Sequence, residues 1–146
     1  MAMFIGEYSH SIDLKKRLAI PVKFRADLKN KVVVTRGLDK CLFIYPMKVW
    51  EGLAEKLGNL PMGESNTRSF VRLMLAGATD TPVDKQGRIL VPDYLKKYAG
   101  LSKNVVVAGL YNRLEIWDEK KWNEYKNKAE KNTDEIAEQL GKLGVY

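Results

Sequence analysis

The sequence predicts an α+β fold rich in β-strand, built from two tandem copies of one small module. The first observation is an internal repeat, since the segment at residues 13–21 recurs at residues 84–92. The second is that short β-branched stretches alternate with turn residues within each copy. The third is that each copy spans only about 45 residues, too few to bury much of a core alone. We therefore expect the two copies to pack together.

The repeat extends past these two segments. With one residue inserted, residues 34–38 align with residues 106–110. The aligned apolar pairs that follow are Leu42 with Leu114, Ile44 with Ile116, Tyr45 with Trp117 and Trp50 with Trp122. The alignment divides the chain into a first module at residues 3–50, a helical connector at 51–78, a second module at 79–122 and a C-terminal helical tail at 123–146.

Each copy begins with a predicted β-hairpin. Strands are expected at residues 4–12 and 17–20 in the first copy and at 79–83 and 88–91 in the second. The later strand of each pair is closed by a proline, which cannot donate to a central ladder. A tight, polar turn is therefore expected between the two strands of each copy.

A short helix and two further strands complete each copy, with a glycine-containing turn between those strands. β-Branched residues favour the strands, and Gly100 is suited to end the second helix. The first copy has a predicted helix at 23–28, strands at 32–34 and 42–45, and a turn around Gly37. The second has a helix at 93–98, strands at 105–107 and 114–117, and a turn around Gly109.

The connector between the copies reads as two amphipathic helices. The first carries four residues on one helical face: Val49, Trp50, Leu53 and Leu57. The second presents a broad apolar surface and is expected to pack against something substantial: Phe70, Val71, Leu73, Met74 and Leu75. Arg68 and Arg72 share one face of this helix, where a solvated or interface-bridging pair is favoured over a DNA contact.

The C-terminal tail is predicted to be helical. Asp118 is a good N-cap for a helix on which three residues share a face: Trp122, Tyr125 and Ala129. Asn132 with Glu135 is suited to cap a separate short helix that ends near Gly141. Because the tryptophans fall at repeat-equivalent or helix-face positions, core packing is favoured over stacking platforms for single strands.

Positive charge is concentrated in the body of the chain. Lys and Arg number 25 against 18 Asp and Glu, a net charge of +7. Residues 1–40 carry +5, residues 41–117 carry +3 and residues 118–146 carry −1. Such a field attracts polyanions, and binding to nucleic acid would be sensitive to salt.

The single cysteine and the hydropathy pattern indicate the compartment. Cys41 lies in an apolar run, so a buried, reduced thiol is expected, and neither an intrachain disulfide nor a thiolate metal cluster can form. No apolar stretch approaches the roughly 20 residues that span a bilayer, and the N-terminus does not resemble a signal peptide. We expect a cytoplasmic protein.

The second predicted turn carries polar and basic groups at its tip. Asp84 can accept backbone N–H bonds and Gly87 supplies a positive φ, which suits a three-residue loop. Lys85 and Gln86 at the tip, with Arg88 beside it, can reach phosphates or base edges. One such loop is more often an ordinary charged turn, in which Asp pairs with Arg.

The first turn offers a similar set of donors. It begins with Asp13 and carries Lys15, Lys16 and Arg17 in the equivalent places. Two basic loops at equivalent positions of a repeat favour a functional surface over two unrelated turns.

Sequence signatures of enzymes were not found. No Gly-rich phosphate loop or nucleophile elbow occurs, and His10 is the only histidine, which excludes His-based triads and multi-histidine metal sites. Asp13 and Asp84 could in principle serve as an acid and base acting on an acidic substrate. The arginine near each favours a permanently ionised turn carboxylate instead. We therefore predict a protein that is not an enzyme and needs no cofactor or metal.

The chain resembles the MraZ family over residues 3–140. The duplicated Asp-x-x-x-Arg motif at 13–17 and 84–88 carries this resemblance. It is extended by residues 3–8, residues 72–77 and the stretch 114–118 that precedes Trp122. The resemblance implies two tandem AbrB-like swapped-hairpin modules that form a pseudo-symmetric double-split β-barrel.

The resemblance also implies a function. Family members look like ring-shaped homo-oligomers that regulate, usually as repressors, their own operon, the division and cell wall cluster, by binding short direct promoter repeats in double-stranded DNA. Such a protein is expected at the nucleoid. The implied DNA-facing residues are Lys15, Lys16, Arg17, Lys85, Gln86 and Arg88, with Asp13, Asp84 and Gly87 shaping the loops.

Two points qualify the resemblance. Lys16 stands where Gly87 stands in the second loop and where the family usually has glycine, so the first turn must accept a strained residue or adopt another geometry. An alternative function is an interaction protein of the same fold, such as an antitoxin, that grips a partner protein with its Trp-rich C-terminal helix.

Overall fold

Strands and helices follow the same order in the two copies. The computed structural model describes residues 3–145. The first copy comprises β1 (Phe4–Ser11), β2 (Arg17–Ala19), α1 (Val22–Leu28), β3 (Lys31–Arg36), β4 (Leu42–Pro46) and α2 (Met47–Gly58). α3 (Ser65–Val71) and a π-helical turn (Arg72–Ala76) lead to the second copy. That copy comprises β5 (Thr79–Pro82), β6 (Arg88–Leu90), α4 (Asp93–Ala99), β7 (Asn104–Tyr111), β8 (Leu114–Asp118) and α5 (Glu119–Lys131), and α6 (Thr133–Gly141) follows it.

Strand pairing joins the two copies. Six strands form one antiparallel sheet in the order β1-β7-β8-β4-β3-β5, and β2 pairs with β6 in a separate two-stranded ribbon. The first strand of each copy thus pairs with the third strand of the other copy, β1 with β7 and β5 with β3. At the centre β4 and β8 are related by pseudo-twofold symmetry, since Leu42 faces Ile116 and Ile44 faces Leu114. The predicted α+β class and tandem architecture are confirmed.

The hairpin expected within each copy is replaced by pairing between copies. In the first copy the strands flanking the turn are linked beside it by the bridge from Ile12 to Leu18 and by the hydrogen bond from the Asp13 amide to the Arg17 carbonyl. The amide of Ile12 donates instead to the carbonyl of Lys103, at 2.9 Å. The turn is therefore local, whereas its two arms continue into different sheets, which is the swapped arrangement that the family resemblance implied.

Gly109 lies within β7, so the turn predicted around it was misplaced. A Cβ at Gly109 would come within 2.7 Å of the backbone nitrogen of Ile5, so glycine allows the close approach of β1. The chain reverses later, where Asn112 donates to the carbonyl of Leu110 at 2.8 Å. The turn around Gly37 is present, with its amide bonded to the carbonyl of Cys41.

Both faces of the sheet are covered. One face packs on the ribbon, α1 and α4, through a core that includes Leu18, Ile89, Phe24 and Leu95. The alternation of side chains along the strands sends others to the opposite face, where they pack with α2 and the π-helical turn: Phe43, Tyr45 and Trp117. Leu18 and Ile89 are almost fully buried, so the ribbon is anchored firmly on the sheet.

The connector packs only in part. α2 uses the predicted face, with Val49, Trp50, Leu53 and Leu57 in the second core cluster. Beyond it, Val71 and Met74 are buried, but Phe70 and Leu73 are about half exposed, so the second apolar surface is not fully covered. A change from α-helix to π-helix at Arg72 rotates the later side chains, which the sequence pattern did not anticipate. Arg68 bonds to the carbonyl of Met62, a local contact.

The tail is helical as predicted, with one difference at its second helix. The Asp118 side chain caps α5 by accepting from the amide of Lys121, and Trp122 packs on Trp117. Asn132 precedes α6 but makes no capping bond, because its side chain donates back to the carbonyl of Lys128. None of the helices in residues 3–145 is long and apolar enough to cross a membrane.

Candidate nucleic-acid interface

The first loop is organised around the side chain of Asp13. Its Oδ1 accepts from the amide of Lys15 at 2.8 Å and from the amide of Arg17 at 2.9 Å. Its backbone carbonyl accepts from the amide of Lys16 at 3.0 Å, and its amide donates to the carbonyl of Arg17. These bonds satisfy the turn internally and fix the direction in which the tip emerges.

The second loop repeats this network. Asp84 Oδ1 accepts from the amide of Gln86 at 2.9 Å and from the amide of Arg88 at 2.8 Å. The amide of Gly87 donates to the carbonyl of Asp84 at 2.9 Å. The Asp-x-x-x-Arg motif thus specifies the same turn twice.

Both loop aspartates are held in their ionised form. The backbone hydrogen bond from Arg17 is the largest cause that lowers the pKa of Asp13 below its ordinary value. The amide of Arg88 plays the same part in lowering the pKa of Asp84. The lowered pKa of both groups agrees with ionised turn carboxylates and is opposite to the raised pKa that suits a general acid.

The first turn accepts a non-glycine residue in the left-handed region. Lys16 has φ of 64°, close to the 75° of Gly87 in the equivalent position. Of the two geometries considered for this departure, the structure therefore has the strained one. A Cβ is tolerated at Lys16, but at Gly87 it would come within 2.6 Å of Arg25 Cδ.

The ribbon places the arginines of the two loops on one side. In β2 and β6, Arg17 faces Leu90, and Ala19 faces Arg88, so the two arginines lie on one side of the ribbon. The two arginines are separated by two residues along the strand and by one strand spacing. Their Cα atoms therefore lie roughly 8 Å apart. The charge of Arg88 also reaches Asp13 and contributes to lowering the pKa of that carboxyl. The intervening Leu18 and Ile89 point into the core, so the arginines face outward.

Family comparison agrees with the duplicated architecture. The family model described as "MraZ protein, putative antitoxin-like" matches the chain twice, over residues 3–73 and 74–143. The chain belongs to the MraZ family. The resemblance inferred from the loop motifs is confirmed.

Similar proteins match over almost their whole length, and each is named Transcriptional regulator MraZ. The protein of Halothermothrix orenii is 50% identical over 143 residues, which are 98% of this chain and 100% of the relative. The relatives from Clostridium tetani and Acetivibrio thermocellus are 48% and 47% identical, with the same coverage. This MraZ-family chain and these relatives are therefore of very similar length.

The two loop arginines are held differently. Arg88 Nε lies 3.0 Å from Asp84 Oδ2 and donates to it, whereas Arg17 Nε lies 3.7 Å from Asp13 Oδ2 and makes only a looser ion pair. Arg17 is therefore the freer of the two to reorient toward a ligand. Exposed ion pairs of this kind contribute little to stability. An arginine that leaves its aspartate to bind a phosphate therefore loses little free energy from the broken pair.

Three residues that sequence reasoning did not single out also bear on this interface. Leu14 is fully exposed at the tip of the first loop. The carboxylate of Asp93 forms a 2.6 Å ion pair with the Lys16 ammonium. Arg25 lies against the second loop. The position of Leu14 inside the motif could have indicated its exposure, but the other two contacts join residues far apart in sequence.

No metal centre accompanies the loops in the part of the chain that the structure describes. Among residues 3–145, no three or more His, Cys, Asp or Glu side chains are grouped so as to hold a metal ion. This surface can therefore provide hydrogen-bond donors and positive charge to a ligand.

Proposed function

We propose that this protein is a sequence-specific, DNA-binding transcription regulator that acts as a repressor of its own operon, the division and cell wall cluster. It binds short direct repeats in promoter DNA as a homo-oligomeric ring and associates with the nucleoid. Relatives of nearly the same length that are named Transcriptional regulator MraZ support the regulatory role.

One observation carries the proposal: Arg17 and Arg88, the arginines of the two basic loops, lie on the same outward side of one short ribbon. The two loops carry six donor side chains, and their backbones are fixed by hydrogen bonds and by a ribbon anchored on a buried core. A rigid, basic projection suits contact with DNA, because phosphate contacts position a protein while base-edge contacts specify the sequence. The proposed DNA-contacting residues are Lys15, Lys16, Arg17, Lys85, Gln86 and Arg88.

We assign the two arginines different contacts according to how tightly each is held by the aspartate of its own loop. Arg17, with its looser ion pair, is assigned to a base edge, where arginine can donate two hydrogen bonds to guanine. Arg88, which is fixed by Asp84, is assigned to phosphate together with Lys15 and Lys16. Asp13, Asp84 and Gly87 shape the loops and do not themselves contact DNA.

Oligomerisation supplies the affinity that one small surface lacks. A single pair of loops makes few contacts, but several pairs on one ring raise the effective concentration when the operator repeats match their spacing. Exposed apolar side chains before α3, within it and in the π-helical turn that follows support a contact between subunits: Leu60, Met62, Phe70 and Leu73.

The antitoxin-like wording of the family description supports a second candidate, in which α5 binds a partner protein. That role requires a free aromatic face. Trp122 packs on Trp117, and its Nε1 donates to Glu7 at 2.9 Å, so this tryptophan is engaged within the chain. Tyr125 alone among the α5 aromatic residues is about half exposed. DNA binding is therefore the better-supported function.

The proposal is tested by fluorescence anisotropy with duplex DNA from upstream of the protein's own gene and with a scrambled duplex, across a salt series. Wild-type protein is expected to prefer the upstream duplex. Arg17→Ala should lower that preference, with a loss of about 1–3 kcal/mol for the specific base contact. Lys15→Ala should weaken both duplexes alike, as expected for a phosphate contact.

Equal losses on the two duplexes for Arg17→Ala would contradict the base-reading role of Arg17. Equal, weak binding of both duplexes by the wild type would instead contradict sequence-specific regulation. In that case a pull-down that recovers one stoichiometric partner protein, and loses it on Tyr125→Ala, would support the antitoxin-like function.

A further inference from the structure

Arg25 belongs to the first copy but lies against the loop of the second. It is on α1, and its Nε donates to the carbonyl of Ile20 at 2.7 Å. Its side chain covers Gly87 so closely that a Cβ there would come within 2.6 Å of Arg25 Cδ. The guanidinium is therefore placed beside the tip that carries Gln86 and the arginine of the second motif.

The guanidinium of Arg25 is not neutralised by an ion pair among residues 3–145. No Asp or Glu side chain in that part of the chain lies within 4.0 Å of it. The positive charge of Arg25 acts on a nearby group: the pKa of His10 is lowered by burial and, to a smaller extent, by Arg25. With Nε fixed on a carbonyl, the two terminal nitrogens remain to bind an anion.

The first loop has no equivalent of this arrangement. In the repeat, Lys96 takes the position of Arg25, and Asp93 takes the position of Val22. Asp93 pairs with Lys16 at 2.6 Å, so part of the positive charge at the first loop is already compensated. Val22 brings no charge to the second loop, where Arg25 adds one.

We propose that Arg25 binds a DNA phosphate beside the second loop, so that this anchor is assembled from both copies of the repeat. The inference rests on the proposed DNA-binding function and adds a contact outside the two motifs. A guanidinium that is already oriented by one hydrogen bond loses little freedom on binding, and its planar donors match phosphate geometry.

The proposal also accounts for the glycine in the second loop. The positive φ alone does not require it, because Lys16 adopts a similar φ in the first loop. A side chain at Gly87 would add, to the strain of a positive φ, the displacement of Arg25 from its position over the turn.

The test measures anisotropy of full-length protein with the upstream and scrambled duplexes over a salt series. The variants are Arg25→Gln, which removes the charge, and Arg25→Lys, which keeps the charge but loses the Nε contact. Lys120→Gln serves as the control for loss of one charge, since Lys120 is exposed on α5, which packs on β7 and β8. Thermal unfolding of each variant monitors the fold.

Arg25→Gln is expected to weaken both duplexes by at least about fivefold at low salt and to reduce the slope of log K against log salt by about 0.9, as for one lost phosphate contact. Arg25→Lys should keep most of the slope, and Lys120→Gln should match the wild type. An unchanged slope for Arg25→Gln, or an equal reduction of the slope for Arg25→Gln and Arg25→Lys, would overturn the phosphate contact while leaving the proposed function intact. Absence of DNA binding by the wild type would overturn the proposed function and, with it, this inference.

Discussion

The amide of Val91 donates a 2.9 Å hydrogen bond to the carbonyl of Lys16, which lies in the loop of the other copy. The reciprocal bond joins the amide of Ile20 to the carbonyl of Gly87, at 2.8 Å. Each loop is thus held by a strand end that belongs to its counterpart. The geometry of either basic tip depends on both copies, and a change in one loop can be assessed against its equivalent in the other.

Replacing Lys16 with glycine should affect stability and DNA binding in opposite directions. Lys16 has φ of 64°, a left-handed conformation that costs a non-glycine residue about 1–2 kcal/mol. Glycine removes this strain but gains freedom in the unfolded chain, so Lys16→Gly should raise the free energy of unfolding by at most about 1 kcal/mol. The same change removes a basic group, so the affinity for both upstream and scrambled DNA should fall. Urea denaturation and anisotropy measure the two effects.

Lys15→Gly is the matched control for that change. It removes one charge from the same loop, but Lys15 does not have a positive φ, so glycine there should lower the free energy of unfolding by about 0.5–1 kcal/mol. If Lys16→Gly destabilises the protein as much as Lys15→Gly does, the first turn carries no relievable strain.

Asp93→Asn should strengthen DNA binding. Asp93 holds the Lys16 ammonium at 2.6 Å, and both side chains are largely exposed, so the pair competes directly with phosphate. Exposed ion pairs are worth about 0.2–1 kcal/mol, which predicts a gain in affinity of about 1.4- to fivefold and a steeper salt dependence. Anisotropy with the upstream duplex measures this gain. Asp134→Asn removes a charge from the C-terminal α6 and should produce a smaller gain; equal gains would argue against competition at Lys16.

The elements themselves were well predicted from the sequence, because local residue preferences determine them. The β-branched runs at 32–34 and 105–107 are strands, and Gly100 ends α4 in the left-handed conformation. The turns at 13–17 and 84–88 also form as expected, since each aspartate bonds amides only two and four residues away.

What the sequence pattern could not predict depends on contacts between distant residues. Gly109 looked like a turn glycine, but its role is to admit the backbone of β1 from the other copy. Arg25 looked like an ordinary helix residue, because its neighbour Gly87 is far along the chain. Leu73, which is about half exposed, lies in a π-helical turn, which periodicity at 3.6 residues does not describe.

Cys41 should be unreactive in the native protein. Burial is the largest cause that raises the pKa of its thiol, the nearby Glu115 carboxylate adds to the effect, and Sγ donates to the carbonyl of Leu38. Because the thiolate is the reactive form, we expect labelling by a disulfide reagent at pH 8 to be far slower in the folded state than in urea. Ser69→Cys supplies an exposed thiol for comparison. Equal labelling rates for Cys41 in native and denatured protein would contradict this prediction.

The stability that Asp118 provides should be lost in acid. Its side chain is buried and accepts from Ser102 Oγ at 2.7 Å and from the amide of Lys121. Burial alone would raise the pKa of this carboxyl, but the hydrogen bonds from Ser102 and Lys121 outweigh it and hold the pKa below its ordinary value. A pKa that is lower in the folded state contributes stability that is complete above the unfolded value, near 3.9, and disappears as the pH falls through the folded value.

Asp118→Ala should therefore lower the free energy of unfolding by about 1 kcal/mol at pH 7, as for loss of an N-cap, and by less at pH 3. Urea denaturation at the two pH values measures both differences, and a difference that is the same at pH 7 and pH 3 would show that the ionised carboxylate has no part in the cap.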